Sequence, residues 1–197
     1  MFKYLVVAAS LLIGSTANAI VTLDDDTLHI TGFTTEEQAE SVFRILDEQD
    51  VRRVVMYGPG GNYFAGLSIG YAISQKDLTV TIPSGRKCVS ACALGAIGGK
   101  RIMLGGQLWF HKAYRQEYST LESLEDIDRG GQSTGADLMH FAFLIGVPPN
   151  FVYEIIHSTS SCKFIIIDTT SELRKMMAHK SDDKLAYKRR LHDGCDR

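Results

Sequence analysis

The sequence VRRVVMYGPGGNYFAGLSIGYAIS, at residues 51–74, predicts a strand, a glycine turn and a helix in that order. The apolar, β-branched residues from Val51 to Tyr57 are typical of a buried strand. This strand ends in the turn Gly58-Pro59-Gly60-Gly61, and a helix is expected from about Phe64 to Ser74. A buried strand followed by a helix is the first part of a βαβ unit, which favours a parallel sheet covered by helices.

The alternation of strands and helices continues on both sides of this stretch. Further strands are expected at residues 27–32, 78–82, 101–104, 107–110 and 163–167, and further helices from residue 34, at 89–97, at 136–145, up to about residue 157 and from about residue 171. Residues 112–134 are polar and contain Gly130-Gly131, so a loop or mobile insertion is expected there. The 197-residue chain therefore predicts one α/β domain at residues 20–180, followed by a charged tail at 181–197.

Composition and charge exclude several classes of protein. With 45% hydrophobic and 22% charged residues, the chain has the composition of a globular protein that can bury a core. Its formal net charge of -2 gives no reason to expect a nucleic acid or an anionic membrane as a partner. Basic residues gather near the C-terminus, but aspartates dilute them, which favours a solvated tail over a binding patch.

The N-terminus has the pattern of a bacterial-type secretory signal peptide. Lys3 precedes an apolar run from Tyr4 to Ile13, and Ala17-Asn18-Ala19 has the A-x-A pattern of a cleavage site. Cleavage after Ala19 would give a mature chain that begins at Ile20 and is periplasmic or secreted. An uncleaved membrane anchor is the alternative, but the apolar run is too short for a stable span and no second long run follows.

Export would place the four cysteines in an oxidising compartment. Cys88, Cys92, Cys162 and Cys195 allow three pairings, and the sequence alone does not select one. A Cys88–Cys92 bridge is attractive because the two residues are close at an expected loop-to-helix junction, and it would leave Cys162 to pair with Cys195. No Cys or His follows at the spacing of zinc ligands, so no metal site is expected.

Ser90 and His111 carry side chains that acyl transfer requires. Ser90 opens an expected helix of small residues, and its hydroxyl would project into the same crevice as the glycine turn. His111 follows an apolar strand, so its imidazole is expected at a pocket rim, where it can take the serine proton and return it to a leaving group. Two alternatives stay open: Ser90 as a helix N-cap, and His111 as a structural or exposed histidine.

The glycine turn ahead of Ser90 would present backbone N–H groups at a helix N-terminus. Such groups can stabilise a developing oxyanion. The alternative is a tight turn in which glycine supplies a positive φ. The turn is not a phosphate-binding loop, because no Gly-Lys-Ser/Thr follows at the required spacing, and no nucleotide or other cofactor is expected.

Taken together, these motifs resemble the proteolytic subunit of Clp protease. The stretch GPGGNYFAGLSI at residues 58–69 is similar to that family's P-G-G-x-x-x-A-G-x-S-I segment. Cys88-Val89-Ser90-Ala91 stands where the family has its A-S-M nucleophile, and residues 98–111 resemble its G-x-K-R…M-I-H run, shortened in the turn. The likeness covers about Leu28 to Glu172. The C-x-S-A-C sequence behind a signal peptide resembles the exported Clp-protease-like proteins of bacteria more closely still.

The resemblance implies the ClpP/crotonase fold, with stacked ββα units and a largely parallel sheet covered by helices. It further implies Ser90 as the nucleophile, His111 as the general base, oxyanion donors at the N–H groups of Gly60 and Ala91, and a turn shaped by Gly61. A peptide or protein substrate would lie along the sheet edge and be cut after serine attack, without ATP. Because members of this family commonly assemble into rings, a homo-oligomer is also expected.

The third member of the catalytic triad is where the sequence departs from the family's pattern. The matching residues, Thr159-Ser160-Ser161-Cys162-Lys163, include no carboxylate. Asp168 is the nearest acid, but as a helix cap it is expected to face away from His111. A Ser–His dyad, with the histidine oriented by a hydroxyl or a backbone carbonyl, stays open. Three other acids reach the histidine only if the insertion folds back: Asp126, Asp128 and Asp137.

Three functions are compatible with these residues. The leading hypothesis is an exported serine peptidase that uses Ser90 and His111. The rival is a non-catalytic module that keeps the fold to bind peptides or build an assembly, which the missing acid and a Cys88–Cys92 bridge favour. A crotonase-type enzyme acting on thioesters comes third, because nothing in the sequence indicates a coenzyme A pocket.

Overall fold

A computed structural model describes residues 18–113, 124–160, 162–178 and 191–193 of the chain. Strands and helices alternate, and the predicted α/β class is confirmed. The elements are β1 (Ile20–Asp24), β2 (Thr27–Thr34), α1 (Glu36–Glu48), β3 (Arg53–Gly61), α2 (Tyr63–Ser74), β4 (Thr79–Ile82), β5 (Lys87–Val89), α3 (Ala91–Ala96), β6 (Arg101–Leu104), β7 (Gln107–Phe110), α4 (Leu124–Ile145), α5 (Pro149–Ser158), β8 (Lys163–Ile167), α6 (Thr170–Ala178) and β9 (Leu191–Asp193).

The strands form a mixed sheet that branches at β3. On one side, β3 pairs in parallel with β2. On its other side, the first residues of β3 pair with β4, and Gly58, further along β3, pairs with Cys88 of β5. The order is β1-β2-β3-β5-β7-β8-β9, with β4 and β6 off this path. Pairing is parallel in the middle of the sheet, whereas β1, β8 and β9 run antiparallel to their neighbours.

The parallel direction of β3, β5 and β7 determines where the candidate functional residues meet. Because these strands run the same way, their carboxyl ends lie at one edge of the sheet. Gly60 and Gly61 end β3, Ser90 follows β5, and His111 follows β7. The topology therefore brings the glycine turn, the serine and the histidine to the same edge.

Alternate residues of the strands are buried, which shows that one face of the sheet packs on the core. Examples on neighbouring strands are Val54 and Met56 of β3 and Leu108 and Phe110 of β7. Helices α2 and α3 cover this region and pack closely, since a Cβ on Gly66 would lie 2.5 Å from the Ala91 carbonyl oxygen. A residue larger than glycine would push α3 away from α2.

Local signals account for most of the element boundaries. Thr35 caps α1, because its side chain accepts a hydrogen bond from the Gln38 N–H and two glutamates follow in the first turn. The predicted strands at 101–104, 107–110 and 163–167 have the observed bounds. Thr169 takes the capping position of α6, with its Oγ1 accepting from the Glu172 N–H at 3.1 Å.

The structure corrects the prediction of a loop over residues 112–134. Helix α4 begins at Leu124 and continues through Gly130-Gly131, whereas residues 114–123 lie outside the described residues. Each glycine costs a helix interior about 1 kcal/mol. A helix of 22 residues tolerates this cost because extension adds one hydrogen bond for each residue, and its later part packs on α2 and α5.

The two ends of the chain differ in what the structure describes. Of the predicted signal peptide, only Asn18 and Ala19 belong to the described residues, and β1 begins directly after them at Ile20. In the predicted charged tail, residues 191–193 form β9, which pairs with β8. Among the described residues, no helix has the length and apolar character needed to cross a membrane.

Candidate functional site

A cavity of about 820 Å³ opens at the edge of the sheet where β3, β5 and β7 end. The glycine turn, Ser90 and His111 all line it. Its remaining wall is largely apolar and comes from four other elements: Phe33 of β2, Leu94 of α3, Leu138 of α4, and Ile155 and Ile156 of α5. Parallel sheets commonly bind ligands outside the carboxyl ends of their strands, so the cavity is the candidate site.

Ser90 has an unusual backbone conformation. Its φ is 56° and its ψ is -123°, in a region that residues with a Cβ rarely adopt. Conformations of this kind cost about 1–3 kcal/mol and persist only where the surrounding structure imposes them. Here the Ser90 N–H donates to the Trp109 carbonyl at 2.8 Å, and its own carbonyl accepts from the Leu94 N–H at 3.1 Å. The sharp turn from β5 into α3 is the arrangement that exposes serine nucleophiles in several hydrolases.

The side chain of Ser90 does not cap helix α3. Ser90 occupies the N-cap position of α3, but its side chain makes no capping hydrogen bond. By contrast, Asn62 at the start of α2 does cap its helix, accepting from the Ala65 N–H at 3.0 Å. The half-buried Ser90 hydroxyl is therefore not used to stabilise the helix, and the residue lines the cavity.

Gly60 lies against the Ser90 turn. Its φ is 91°, and a Cβ at this position would lie 2.6 Å from the Val89 oxygen, 2.7 Å from the Ser90 Cβ and 3.1 Å from the Ala91 nitrogen. Ala91 is the first residue of α3, where backbone N–H groups have no partner within the helix. Gly60 and Ala91, the two predicted oxyanion donors, are thus neighbours beside Ser90.

Gly61 shapes the other side of the turn. Its φ is 148°, and a Cβ there would collide with the backbone of Thr34 at the end of β2. The next residue continues this contact, because the Asn62 N–H donates to the Thr34 carbonyl at 2.8 Å. Both the positive φ and the close approach explain why glycine occupies this position.

His111 is half-buried, and its Nδ1 lies 2.9 Å from the Lys112 carbonyl oxygen. A carbonyl oxygen only accepts, so this hydrogen bond requires the proton on Nδ1 and leaves Nε2 of the neutral ring as a base. Burial lowers the pKa of His111 below its usual range, and the hydrogen bond to Lys112 opposes this only in part. The neutral form that can accept a proton is therefore favoured.

An aromatic contact also holds the His111 ring. Phe164 of β8 packs against it at a centroid distance of 4.9 Å and in turn contacts Trp109 at 5.5 Å. The antiparallel register of β7 and β8, with Phe110 opposite Ile165, places Phe164 beside the histidine. The imidazole is thus held by a phenyl ring as well as by its hydrogen bond to the Lys112 carbonyl.

The structure does not bring Asp168 to His111. Continuing the register places Asp168 beside Gln107, four residues along β7 from the histidine, or roughly 13 Å at the rise of a strand. Asp137 lies close enough to Tyr63 for its charge to act on the phenol. Burial raises the pKa of the Tyr63 hydroxyl above its usual range, and the Asp137 charge raises it further. The side chains of Asp126 and Asp128 lie outside the described residues. In the described cavity lining, the carboxylates are Glu36 and Glu37, at the exposed start of α1.

The predicted Cys88–Cys92 disulfide is present, with Cα atoms 5.2 Å apart. It joins β5 to α3 across Ser90, and both cysteines are buried. Cys162 is also disulfide-bonded, whereas Cys195 lies outside the described residues. In the part of the chain that the structure describes, no cluster of His, Cys, Asp or Glu is arranged as a metal site.

Sequence reasoning found the polar residues of the site but missed most of its walls. Leu138 and Ile155 come from helices distant in sequence, and the apolar spacing of those helices does not show which side chains face a cavity. The Lys112 carbonyl leaves no trace in the sequence, because every residue has one. A serine at a strained turn, a histidine of defined tautomer and adjacent backbone N–H groups are the kinds of group that acyl transfer requires.

Comparison of the chain with protein-family models and with curated proteins gives no match.

Proposed function

We propose that this protein is an exported serine peptidase of the ClpP/crotonase fold, with Ser90 as nucleophile and His111 as general base. The observation that carries the proposal is the backbone of Ser90, held at φ 56° on the cavity wall with no capping role for its side chain. A strained serine, a glycine turn and a histidine that line one cavity support a hydrolase. The resemblance to the Clp proteolytic subunit supports peptides as the substrate class.

The chemistry follows from the positions of these groups. Ser90 Oγ attacks the carbonyl carbon of the scissile peptide bond while His111 Nε2 takes the hydroxyl proton. The developing oxyanion accepts hydrogen bonds from the N–H groups of Gly60 and Ala91. His111 then gives its proton to the leaving amine as the C–N bond breaks. Water attacks the resulting ester with His111 again as base, which releases the new carboxylate and restores Ser90.

The Lys112 carbonyl does part of the work of the triad acid in this mechanism. It fixes the Nδ1–H tautomer of His111, but it carries no full negative charge to stabilise the imidazolium. In a serine protease, replacing the orienting aspartate by an amide lowers kcat about 10⁴-fold, chiefly because the wrong tautomer forms. A carbonyl that keeps the right tautomer should avoid that part of the loss, so we expect a slow peptidase.

The walls of the cavity support a substrate with apolar side chains. Phe33 and Phe64 are exposed at 48% and 61% and lie at its mouth, and Leu138 and Ile155 line it more deeply. Burying one large apolar side chain in such a cavity contributes about 1.5–3 kcal/mol to binding. We expect a peptide or unfolded protein segment as the substrate and a homo-oligomer as the active form.

A fluorophosphonate probe tests the nucleophile directly. The mature chain, residues 20–197, should be labelled once, at Ser90, and labelling should be lost in Ser90→Ala and strongly slowed in His111→Ala. The matched controls are Ser84→Ala and His140→Ala, which alter exposed residues outside the cavity lining and should leave labelling unchanged. Labelling that survives Ser90→Ala would overturn the nucleophile assignment. A denatured protein is then incubated with the wild type as a substrate. Mass spectrometry should show that it is cleaved by the wild type and not by Ser90→Ala.

A second candidate is a non-catalytic peptide-binding module with the same fold. It is favoured by one observation: the strand register places Asp168, the nearest acid in the sequence, about four residues along β7 from His111. This alternative predicts no labelling and no cleavage, but peptide affinity that Ser90→Ala leaves intact. Labelling and cleavage by the wild type therefore separate the two functions, and isothermal titration of Ser90→Ala with peptides rich in Leu and Phe tests the binding that both require.

A further inference from the structure

The Cys88–Cys92 disulfide encloses Ser90 symmetrically, two residues from each cysteine. Cys88 belongs to β5 and Cys92 to the first turn of α3, so the bridge joins the two elements between which the chain turns. Their exposed fractions are 0% and 3%. The disulfide is thus part of the buried packing beneath the candidate nucleophile.

The short span of the bridge indicates a local role. A disulfide stabilises a protein mainly by restricting the unfolded chain, and this effect is smallest for short loops. The sequence separation here is only 4. Its main effect must therefore be on the native geometry of the enclosed residues, Val89, Ser90 and Ala91.

The enclosed geometry is one that a serine does not adopt unaided. The hydrogen bonds of Ser90 to Trp109 and Leu94 fix its two ends, and Gly60 packs against its Cβ. Rotation of Ser90 to an ordinary negative φ would change the direction of α3 relative to β5. A covalent link between Cys88 and Cys92 opposes that change, because it limits how far the two residues can separate.

We propose that the Cys88–Cys92 disulfide is a positioning device that holds Ser90 in its reactive backbone conformation, so that Ser90 reacts at its full rate only when this bridge is formed. The proposal rests on the proposed function of Ser90. Bridge formation removes two electrons and two protons from the Cys88 and Cys92 thiols, and a dithiol–disulfide oxidant takes them up. In a reducing compartment the thiols remain, and the chain folds without the constraint.

Burial of both sulfur atoms determines when this control acts. A thiolate reductant must reach a sulfur atom to exchange with it, and the folded protein shields both cysteines. The bridge is therefore set as the chain folds and is not reversed in the folded protein. Activity then depends on the compartment in which folding takes place.

The test compares the rate of fluorophosphonate labelling in three forms of the mature chain. These forms are the oxidised wild type, the wild type refolded with tris(2-carboxyethyl)phosphine, and the Cys88→Ala/Cys92→Ala variant. The matched control is Cys162→Ala/Cys195→Ala, which removes the other cysteines and keeps this bridge. Near-ultraviolet circular dichroism establishes that each form is folded. Refolded, reduced wild type keeps both sulfur atoms, so it separates the covalent link from the loss of packing volume.

The maximal labelling rate and the half-saturating probe concentration are measured separately. Without the bridge, we expect the maximal labelling rate to fall about tenfold or more, because Ser90 can then leave the strained, reactive conformation for a more stable one. The half-saturating concentration should stay the same, because the cavity walls are unchanged, and the control should label like the wild type. Unfolding the reduced protein and refolding it under oxidising conditions should restore the rate.

Two failures are distinguishable. If the oxidised wild type is not labelled, the proposed function fails and the bridge has no nucleophile to position. If the oxidised wild type is labelled, but folded, reduced protein is labelled at the same maximal rate, the peptidase proposal stands and the positioning role of the disulfide is overturned.

Discussion

Replacing Gly60 by alanine should disturb the site directly, because the new methyl group would meet the turn that carries Ser90. The new Cβ would lie 2.6 Å from the Val89 carbonyl oxygen and 2.7 Å from the Ser90 Cβ. These partners belong to the turn that carries Ser90, and the Val89 oxygen is backbone that cannot rotate away. Either Gly60 or the Ser90 turn must shift to relieve the contact.

The magnitude has two contributions. Forcing alanine into a left-handed conformation such as φ 91° costs about 1–2 kcal/mol. Overpacking against fixed neighbours costs about 1–3 kcal/mol more. The sum is about 2–5 kcal/mol. For a chain of 197 residues this should lower Tm by about 4–20 °C.

Gly85→Ala is the matched control for the conformational contribution. Gly85 has a φ of 72°, but a Cβ there would meet nothing within 4 Å. Its variant should lose only about 1–2 kcal/mol, since it lacks the contact cost. Urea unfolding of both variants therefore isolates the contribution of the Gly60 contact, and fluorophosphonate labelling reports its effect on Ser90. We expect labelling to be strongly slowed in Gly60→Ala and unchanged in Gly85→Ala.

Equal free energies of unfolding for the two variants would refute the reasoning on contact. Equal labelling rates would show that the position of Gly60 has no bearing on the nucleophile. The second result would contradict the assignment of the glycine turn to the site.

The remaining predictions concern His111 and Asn62. Because burial lowers the pKa of His111, labelling should rise with pH to half its maximum below 6.5, and His140→Ala should leave this profile unchanged. The unfolded chain binds a proton at His111 more readily than the folded protein does, so the stability that the neutral histidine contributes is lost as pH falls from about 6.5 through the folded pKa. The free energy of unfolding of His111→Gln, measured in urea, should therefore fall less steeply with acid than that of the wild type. An identical fall in the two proteins would contradict the lowered pKa. Asn62→Ala removes the hydrogen bond from the Ala65 N–H and should cost about 0.5–2 kcal/mol in urea unfolding, with no change in stability arguing against the cap.

Several parts of the fold are predictable from the sequence because they depend on neighbouring residues. The cap at Thr35 needs only the chain within one helical turn, and the strand at 107–110 shows alternating burial in its side chains. The Cys88–Cys92 bridge is predictable for the same reason, since the two cysteines are close in sequence. The extension of α4 back to Leu124 is not predictable from the sequence, because Gly130-Gly131 lowers the local helix propensity. The packing that stabilises the later turns involves residues distant in sequence.

The sequence by itself determined which groups of the candidate site are present: a serine, a histidine, a glycine turn and a pair of cysteines around the serine. Only the tertiary structure decided how they are arranged. The strained φ of Ser90 depends on the contact with Gly60 from another strand, and the tautomer of His111 depends on the direction of the Lys112 carbonyl. The antiparallel register of β7 and β8 places Phe164 beside His111 and Asp168 far along the strand. A one-dimensional pattern fixes residue types and local conformation, whereas register and strand order determine which distant residues meet.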